Sequence, residues 1–404
     1  MKIKIKINKI IAYILVIFSC TRASVYLFYD YKYILITRSI VMGMLLIMFF
    51  RGIGIFQHLK LKDKLLILIN YLNKFPMILL SIASLAYNTI HNITIYMYFF
   101  YNNYKFKKGC YKILLNFLVI ISFLSILEYF YINLGGNLNF MKIGYTKEQF
   151  GMCYYLGVFN SFLVEINSGQ RLHRLLSIYD EPGYYGTFLG IFILFTKKEK
   201  KYKIFILYLA GILTLSTAFF YFVCMKFIVE GMEKKNFLKS LFVGIIIINF
   251  LFILGKNNEL IRTRVISKIE RILINKSLNR TNREKDIKQI EEFKRNGNLI
   301  LGERREFLNN GGMSIWMEIY KIGFLGIVIN SVIFLRISNF FEIKDNKVRI
   351  FILIALSSIF QRPNILDSTT LICLYCGPIM YYTKNKGISR SNLCLKSTKT
   401  YTTK

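Results

Sequence analysis

Long uninterrupted runs of apolar residues alternate along this chain with short clusters of charge. Three of the clearest runs are 113–127, 242–254 and 324–335, and each is uncharged and mainly apolar. A helix needs roughly 20 mainly apolar residues to cross the hydrocarbon of a bilayer, where only helices and closed barrels satisfy their backbone groups. Barrel strands would alternate apolar and polar positions. The pattern therefore predicts an all-α, polytopic integral membrane protein.

Short basic clusters indicate which loops face the cytoplasm, because cytoplasmic loops are enriched in Lys and Arg. Such clusters at 51–64, 104–112, 197–203, 230–236 and 342–349 are predicted to be cytoplasmic, as are both termini. The chain is then one membrane domain, 1–404, with two large external loops, 135–183 and 255–314. The twelve predicted transmembrane helices are 10–28, 33–50, 65–82, 84–101, 113–134, 184–196, 204–213, 218–230, 238–254, 315–336, 350–360 and 369–382.

Charge modifies this picture in the second external loop. The whole chain of 404 residues has a formal net charge of +33, and the loop 255–314 holds 14 Lys/Arg against 8 Asp/Glu. Long loops are partly exempt from the charge rule. Both a helix with a solvated basic face and an electropositive wall for an anionic substrate would explain the excess. Helical periodicity over 259–295 gives as candidate buried positions Ile261, Val265, Ile269, Ile272, Ile287, Ile290 and Phe293.

Metal chemistry is not expected. The 7 Cys and 3 His are scattered without the spacing that metal ligands require. We therefore predict no metal site and no cofactor.

The stretch RLLSIYDEPGYYG, residues 174–186, lies directly before the apolar run TFLGIFILF. Pro182 suits the first turn of a helix, and Asp180 and Glu181 would favour its N-terminus through the helix dipole. A well-capped transmembrane helix therefore explains the acids and the proline. It leaves the neighbouring cations unexplained.

Cations at the predicted outer face suggest an anion site at the level of the lipid headgroups. Arginine suits phosphate because its planar fork donates to two oxygens at once. Snorkelling of arginine toward headgroup phosphates is the alternative explanation. The residues are Arg171, His173 and Arg174 in the first external loop, Arg304 and Arg305 in the second, and Arg362 in a short outer turn.

Four segments of the chain carry a resemblance to a known family. RLLSIYDEPGYYG resembles the pattern R-x-x-S/G-x-F/Y-x-E-P of the O-antigen polymerases and ligases of the Wzy type, with Arg174, Ser177, Tyr179, Glu181 and Pro182 in register. LTLST (213–217) resembles the family's L-T-x-S segment. NGNLILGERREF…MEIYKIGFLG (296–326) is similar to its outer loop and the following GxxG, and FQRPN (360–364) to its arginine-bearing turn. The likeness covers about residues 110–383.

The resemblance implies a metal-independent membrane glycosyltransferase of the GT-C broad class. It would polymerise oligosaccharide repeat units carried on undecaprenyl diphosphate, for O-antigen, capsule or exopolysaccharide. The site would lie at the outer face of the bacterial cytoplasmic membrane. The expected partners are the lipid-linked glycans and the bilayer, a flippase and a chain-length regulator are candidate partners, and nucleic acid is not expected.

Roles for individual residues follow from this interpretation. Arg174 and Arg171 would hold the diphosphate, with Arg304, Arg305 and Arg362 as outer contacts. Glu181 or His173 would be the general base, or Glu181 would only orient Arg174. Tyr179 and Tyr184 offer faces for sugar rings or belong to an interfacial aromatic belt, which is the preferred interpretation for Tyr185.

Two other functions compete with polymerisation. O-antigen ligases carry a histidine just before the helix that begins here near Ile315, and this chain has Met313 and Ser314 there. A polysaccharide flippase or transporter would more typically have short loops on both sides and two repeated halves. The long external loops therefore favour the polymerase.

The predicted topology can be tested by labelling single cysteines from outside the cell, in a chain whose native cysteines have been replaced. A cysteine at Asn279 should react with a membrane-impermeant reagent, and one at Glu199 should not, because the first lies in the external loop 255–314 and the second in the basic cluster 197–203. The reverse labelling would place the 174–186 stretch in the cytoplasm and would remove the proposed site.

Overall fold

The computed structural model describes residues 10–14, 16–17, 20, 56–57, 59–69, 104–136, 141–147, 152–165, 174–179, 181–196, 199–233, 284–303, 315–360 and 368–386. These residues are mostly helical, and they pack around one large apolar core. The predicted helices 33–50, 84–101 and 238–254 lie outside them.

Most helices of the described part follow the predicted spans closely. The helices are α1 (Tyr104–Asn133), α2 (Pro182–Leu194), α3 (Lys201–Leu213), α4 (Thr217–Glu233), α5 (Glu284–Asn296), α6 (Ile315–Ile337), α7 (Asn346–Leu356) and α8 (Ser368–Lys386). Helix α1 begins nine residues before the predicted span 113–134, so the basic cluster 104–112 is helical. A 3-10 turn, Ser357–Phe360, continues α7. Residues 10–14, 16–17 and 61–69 are also helical.

Side-chain contacts fix the direction of each helix in the bundle. Tyr185 at the start of α2 meets Ser122 late in α1, whereas Phe192 near its end stacks on Tyr111 early in α1. Tyr221 in the first turns of α4 hydrogen-bonds Ser357 at the end of α7. Gly186 and Gly190 of α2 lie against Ser216, just before α4, and Phe222 of α4, so α2 and α4 are parallel. Helices α1 and α7 therefore run one way, and α2 and α4 run the other. This is the alternation that the basic clusters predicted.

One end of the bundle, here called the lysine end, collects the basic segments predicted to be cytoplasmic. The ammonium of Lys226 on α4 is buried and donates to the carbonyls of Ile193 (2.6 Å) and Thr196 (2.8 Å). It therefore satisfies the C-terminus of α2, where the helix dipole favours a cation. Arg336 at the end of α6 pairs with Asp63 at 3.0 Å and with Glu342 at 2.9 Å. Two clusters that are far apart in sequence, 51–64 and 342–349, thus meet.

The opposite end, here called the motif end, carries a small sheet, which is a departure from the predicted all-α architecture. Strands β1 (Met141–Lys147), β2 (Met152–Leu156) and β3 (Ser161–Glu165) form an antiparallel sheet in that order. Strands β2 and β3 pair from Met152 with Glu165 to Leu156 with Ser161. Their turn is closed by a hydrogen bond from the Gly157 amide to the Asn160 carbonyl, 2.9 Å. The first external loop therefore contains a folded hairpin.

Helix α6 is interrupted at Gly323, whose backbone has φ 69° and ψ 174°. The segment 298–303 fills the break. The amides of Phe324 and Leu325 donate to the carbonyls of Leu299 (2.9 Å) and Ile300 (3.1 Å), and the Glu303 amide donates to the Tyr320 carbonyl (2.7 Å). Backbone groups that the break would leave without a helical partner are thereby satisfied.

The second external loop folds partly as predicted. Its helix α5 buries Ile290 and Phe293, two of the seven predicted positions, against Trp316 and Tyr320 of α6. The Phe293 and Tyr320 rings lie 5.0 Å apart. The side chains at the other five predicted positions, residues 261–287, lie outside the described part.

Two of the described helices, Phe106–Asn133 and Glu318–Ile337, are long and apolar enough to cross a bilayer, which indicates association with a membrane. Helix α2 and the segment Thr370–Tyr381 are shorter apolar helices. Large apolar side chains lie exposed along one face of α1 at helical spacing, and α6 has a similar face. Such faces are typical of contact with lipid rather than water. They are Ile120, Phe123, Leu127 and Phe130 on α1, with Leu134 directly after it, and Leu325, Val328 and Val332 on α6.

The break in α6 predicts a strong effect of adding one methyl group. Gly323→Ala should lower the free energy of unfolding by at least about 1–3 kcal/mol, because only glycine adopts this conformation comfortably. A Cβ there would also collide with the Ile300 carbonyl. The matched control is Gly109→Ala in α1, where a Cβ meets nothing within 4 Å, and which should stabilise by about 0.5–1 kcal/mol. Thermal unfolding of both variants in detergent measures the difference. Equal melting temperatures would contradict the structure of the break.

Candidate functional site

Arg174 is held by the turn between α3 and α4. Its Nε donates to the Thr214 carbonyl at 2.9 Å, and its Nη2 donates to the Leu215 carbonyl at 3.0 Å. The neighbouring Leu175 amide donates to the Leu213 carbonyl at 2.9 Å. The structure thus brings together two segments that sequence analysis singled out separately, 174–186 and 213–217.

The LTLST turn has a conformation that suits this contact. Leu215 has a positive φ of 47°, and the Thr214 hydroxyl accepts from the Ser216 amide at 3.2 Å. These carbonyls end α3, so the guanidinium lies at the negative end of that helix dipole. One edge of the Arg174 fork is occupied by carbonyls, so a phosphate bound by Arg174 would have to meet the other edge, formed by Nη1 and the second N–H of Nη2.

Gly186 allows the 174–186 stretch to approach the LTLST turn closely. A Cβ at this position would collide with Ser216 and would lie 2.7 Å from the Thr214 hydroxyl oxygen. The first turn of α2 therefore packs against the same backbone that Arg174 binds. Steric exclusion of a side chain therefore explains why residue 186, at the end of the stretch 174–186, is glycine.

Ser177 lies at the centre of a buried polar cluster. Its backbone has a positive φ of 56°, which is unusual for a residue with a side chain. Its hydroxyl hydrogen-bonds Ser125 Oγ at 2.8 Å, and Ser125 Oγ lies 2.7 Å from the Phe159 carbonyl. The left-handed backbone gives a physical reason why serine or glycine suits this position of the resembled pattern.

Glu128 and Asn160 belong to the same cluster and were missed by sequence analysis. The Glu128 carboxylate accepts from the amides of Val158 (2.6 Å) and Phe159 (2.7 Å). Asn160 Oδ1 accepts from the amides of Ser177 (2.6 Å) and Leu176 (3.3 Å). A carboxylate in an otherwise apolar run at the outer end of a predicted span was the available signal for Glu128.

Glu181 occupies the N-cap position of α2, with Pro182 in the first turn as predicted. Its backbone is extended (φ −135°, ψ 131°), and its carboxylate makes no capping hydrogen bond to the helix. The carboxylate therefore lies at the N-terminus of α2, as predicted from the helix dipole, but without a capping hydrogen bond. Asp180 lies outside the described residues.

The three tyrosines of the stretch have different environments. Tyr179 is fully buried and packs on Tyr184 and Tyr185, with ring centroids 5.4 Å and 5.1 Å away. A buried ring presents no face to a sugar, so this arrangement argues against the stacking role suggested for Tyr179. Tyr185 is also buried, and its hydroxyl bonds Ser122 at 2.6 Å, which contradicts the preferred interpretation as an interfacial belt. Tyr184 is half-buried and keeps both of its suggested roles.

Five predicted site residues lie outside the described part of the chain. They are Arg171, His173, Arg304, Arg305 and Arg362. These residues belong to three segments of the chain. The described residues next to those segments are Arg174, Glu303 and Phe360. Ser357, three residues before Phe360, contacts α4 beside the LTLST turn. Among the described residues, no three His, Cys, Asp or Glu side chains form a group that could hold a metal ion.

Comparison with known proteins identifies no relative. No protein-family model, no curated protein and no solved structure matches this chain. The functional argument therefore rests on the site and on the sequence segments that form it.

The left-handed backbone at Ser177 predicts an unusual order of stabilities. Ser177→Gly and Ser177→Ala both lose the hydrogen bond to Ser125, but glycine relieves the strain. The glycine variant should therefore unfold with a free energy about 1 kcal/mol higher than the alanine variant. The control is Ser331 in the regular part of α6, whose hydroxyl bonds the Ile327 carbonyl at 2.8 Å. At Ser331 the alanine variant should be more stable than the glycine variant, by about 1 kcal/mol. The same order at both positions, measured by melting temperature, would contradict the backbone conformation of Ser177.

Proposed function

We propose that this protein is a membrane glycosyltransferase that polymerises oligosaccharide repeat units carried on undecaprenyl diphosphate, at the outer face of a bacterial cytoplasmic membrane. The observation that carries the proposal is the double hydrogen bond from Arg174 to the LTLST turn. Two segments that independently resemble the same enzyme family form one contact, although about 40 residues separate them.

The position of the contact supports this function. Arg174, the LTLST turn and the start of α2 all lie at the motif end of the bundle, together with the end of α7 that leads into the 361–367 turn. The lysine-rich segments lie at the opposite end. With those segments in the cytoplasm, the motif end faces outside, where a lipid-linked donor would meet its acceptor.

The chemistry assigned to this end is a simple displacement. An acceptor hydroxyl attacks the anomeric carbon of the donor, the bond from that carbon to the phosphate oxygen breaks, and the diphosphate leaves with the bonding electron pair. The hydroxyl proton passes to a base, for which Glu181 and His173 are the candidates. Cations stabilise the departing diphosphate, and this role falls to Arg174, Arg171, Arg304, Arg305 and Arg362.

Tyr184 and the exposed apolar faces of α1 and α6 complete the proposal. A lipid-diphosphate donor needs a protein surface that meets the bilayer beside the cationic site, and those faces offer one. Tyr184 remains the candidate for contact with a sugar ring. A flippase and a chain-length regulator are the proposed protein partners.

Purified protein in lipid nanodiscs, supplied with lipid-linked repeat units alone, tests the function directly. We expect a ladder of longer glycans, each still attached to undecaprenyl diphosphate. Transfer only to an added lipid A acceptor would show a ligase instead, and movement of the lipid without new glycosidic bonds would show a flippase. No product with any acceptor would refute the proposed function.

Arg174 gives the sharpest variant. Arg174→Lys and Arg174→Ala should both reduce elongation on the order of 100- to 1,000-fold, with normal amounts of protein in the membrane. Lysine keeps the charge but lacks a planar fork that can donate to two carbonyls and still face a phosphate. The control is Arg295→Lys on the exposed surface of α5, which should elongate normally. Full-length polymer from Arg174→Lys would remove Arg174 from the site.

A further inference from the structure

We infer that Asn160 and Glu128 are positioning residues that hold the segment 174–179 in place at the residues that the LTLST turn does not bind. The inference rests on the proposed function for what that segment does. It adds the parts of the first external loop and of α1 that determine where Arg174 lies.

Glu128 attaches the turn of the β2–β3 hairpin to α1. Its side chain is buried, and both carboxylate oxygens accept backbone amides of the turn, at 2.6 Å and 2.7 Å. Hydrogen bonds to an ionised acceptor are roughly twice as strong as neutral ones. A Cβ at Gly157 would collide with this carboxylate, so the turn lies directly against it. Ser125, one helical turn earlier, binds the Phe159 carbonyl and strengthens the attachment.

Asn160 transfers that attachment to the segment 174–179. Its Oδ1 accepts two amides of the segment, from Leu176 and Ser177. Because both partners are backbone donors, the orientation of the side-chain amide is fixed. The next residue, Ser161, donates its amide to the Ser177 carbonyl at 2.8 Å and its hydroxyl to the Tyr179 carbonyl at 2.7 Å. The hairpin therefore binds the segment along its length.

The segment is consequently clamped by two separate structural elements. The LTLST turn binds it at Arg174 and Leu175, and the hairpin binds it from Leu176 to Tyr179. Ser177 keeps its left-handed backbone between the two. Misplacement of a reacting group by about 1 Å can reduce a rate about 100-fold, so a clamp of this kind has a direct catalytic consequence.

The choice of asparagine rather than aspartate is itself informative. Asn160 is fully buried, and its Nδ2 group has no hydrogen-bond partner in the described part of the chain. An aspartate would accept the same two amides without leaving a buried donor, but it would bury a second carboxylate near that of Glu128, which binds the amides of Val158 and Phe159. It would also add a negative charge next to Ser177, three residues along the chain from Arg174, where an anionic substrate is proposed to bind. Asparagine therefore adds no charge to that of Glu128.

Two variants of Asn160 separate clamping from charge. Asn160→Ala removes the acceptor, and Asn160→Asp keeps the acceptor but adds a charge. The control is Asn133→Ala at the exposed end of α1, where the side-chain amide donates to the Tyr129 carbonyl of the same helix at 2.7 Å. All are measured as full-length protein in nanodiscs, by hydrogen exchange of the 175–179 amides and by elongation kinetics with lipid-linked repeats.

In Asn160→Ala, exchange at Leu176 and Ser177 should accelerate about 5- to 10-fold, and kcat should fall about 100-fold with little change in KM. In Asn160→Asp, exchange should stay as in the wild type, and KM should rise about 10-fold because the added carboxylate repels the diphosphate. Asn133→Ala should change neither exchange nor kinetics.

Unchanged exchange in Asn160→Ala would overturn the inference, and so would faster exchange with normal kcat, which would indicate a purely structural contact. If Asn160→Ala fails to reach the membrane, Asn160→Asp tests the inference instead. A wild-type KM in that variant would contradict the importance assigned to the neutral amide of Asn160. If the wild type elongates nothing, the proposed function fails, and the exchange data still decide whether Asn160 fixes the segment.

Discussion

The two hydrogen bonds from Arg174 to the end of α3 are the constraint on which the motif end depends. They join the first external loop to the turn between α3 and α4, and α2 begins at Pro182, eight residues after Arg174. The close packing of Gly186 on Ser216 follows from the same approach. A side chain proposed to bind phosphate thus also fixes the loop in which it lies. The observed contact uses the planar fork of arginine, and the proposed phosphate site would use it as well.

The helices could be predicted from sequence because their signal is long and local. Apolar runs of membrane length, separated by basic clusters, gave α1 and α6, and the described helices α2, α3, α4, α7 and α8 begin and end within a few residues of prediction. Pro182 marked the first turn of α2 correctly. These features depend on residues that are adjacent in the chain, so periodicity detects them.

The hairpin and the contacts of the site could not be predicted because they depend on residues far apart in the chain. Short strands such as Ser161–Glu165 carry a weak local signal within a loop of mixed composition. The partners of Arg174 are backbone carbonyls, which no side-chain pattern reveals. Tyr179 and Tyr185 carry an aromatic signal that suits an interface and a core equally, and only packing distinguished the two. Glu128 offered a sequence signal for these contacts, because it is a carboxylate in an otherwise apolar run.

The break at Gly323 has a consequence for biosynthesis. A helix interrupted within a bilayer exposes backbone amides that lipid cannot satisfy, and each one costs several kcal/mol. Here the missing acceptors are supplied by Leu299 and Ile300, which leave the ribosome before the second half of α6 does. The acceptors therefore exist before the amides that need them. Under the proposed topology, insertion of α6 would be coupled to translocation of the preceding loop. A failure to translocate that loop would then also prevent the helix from being completed.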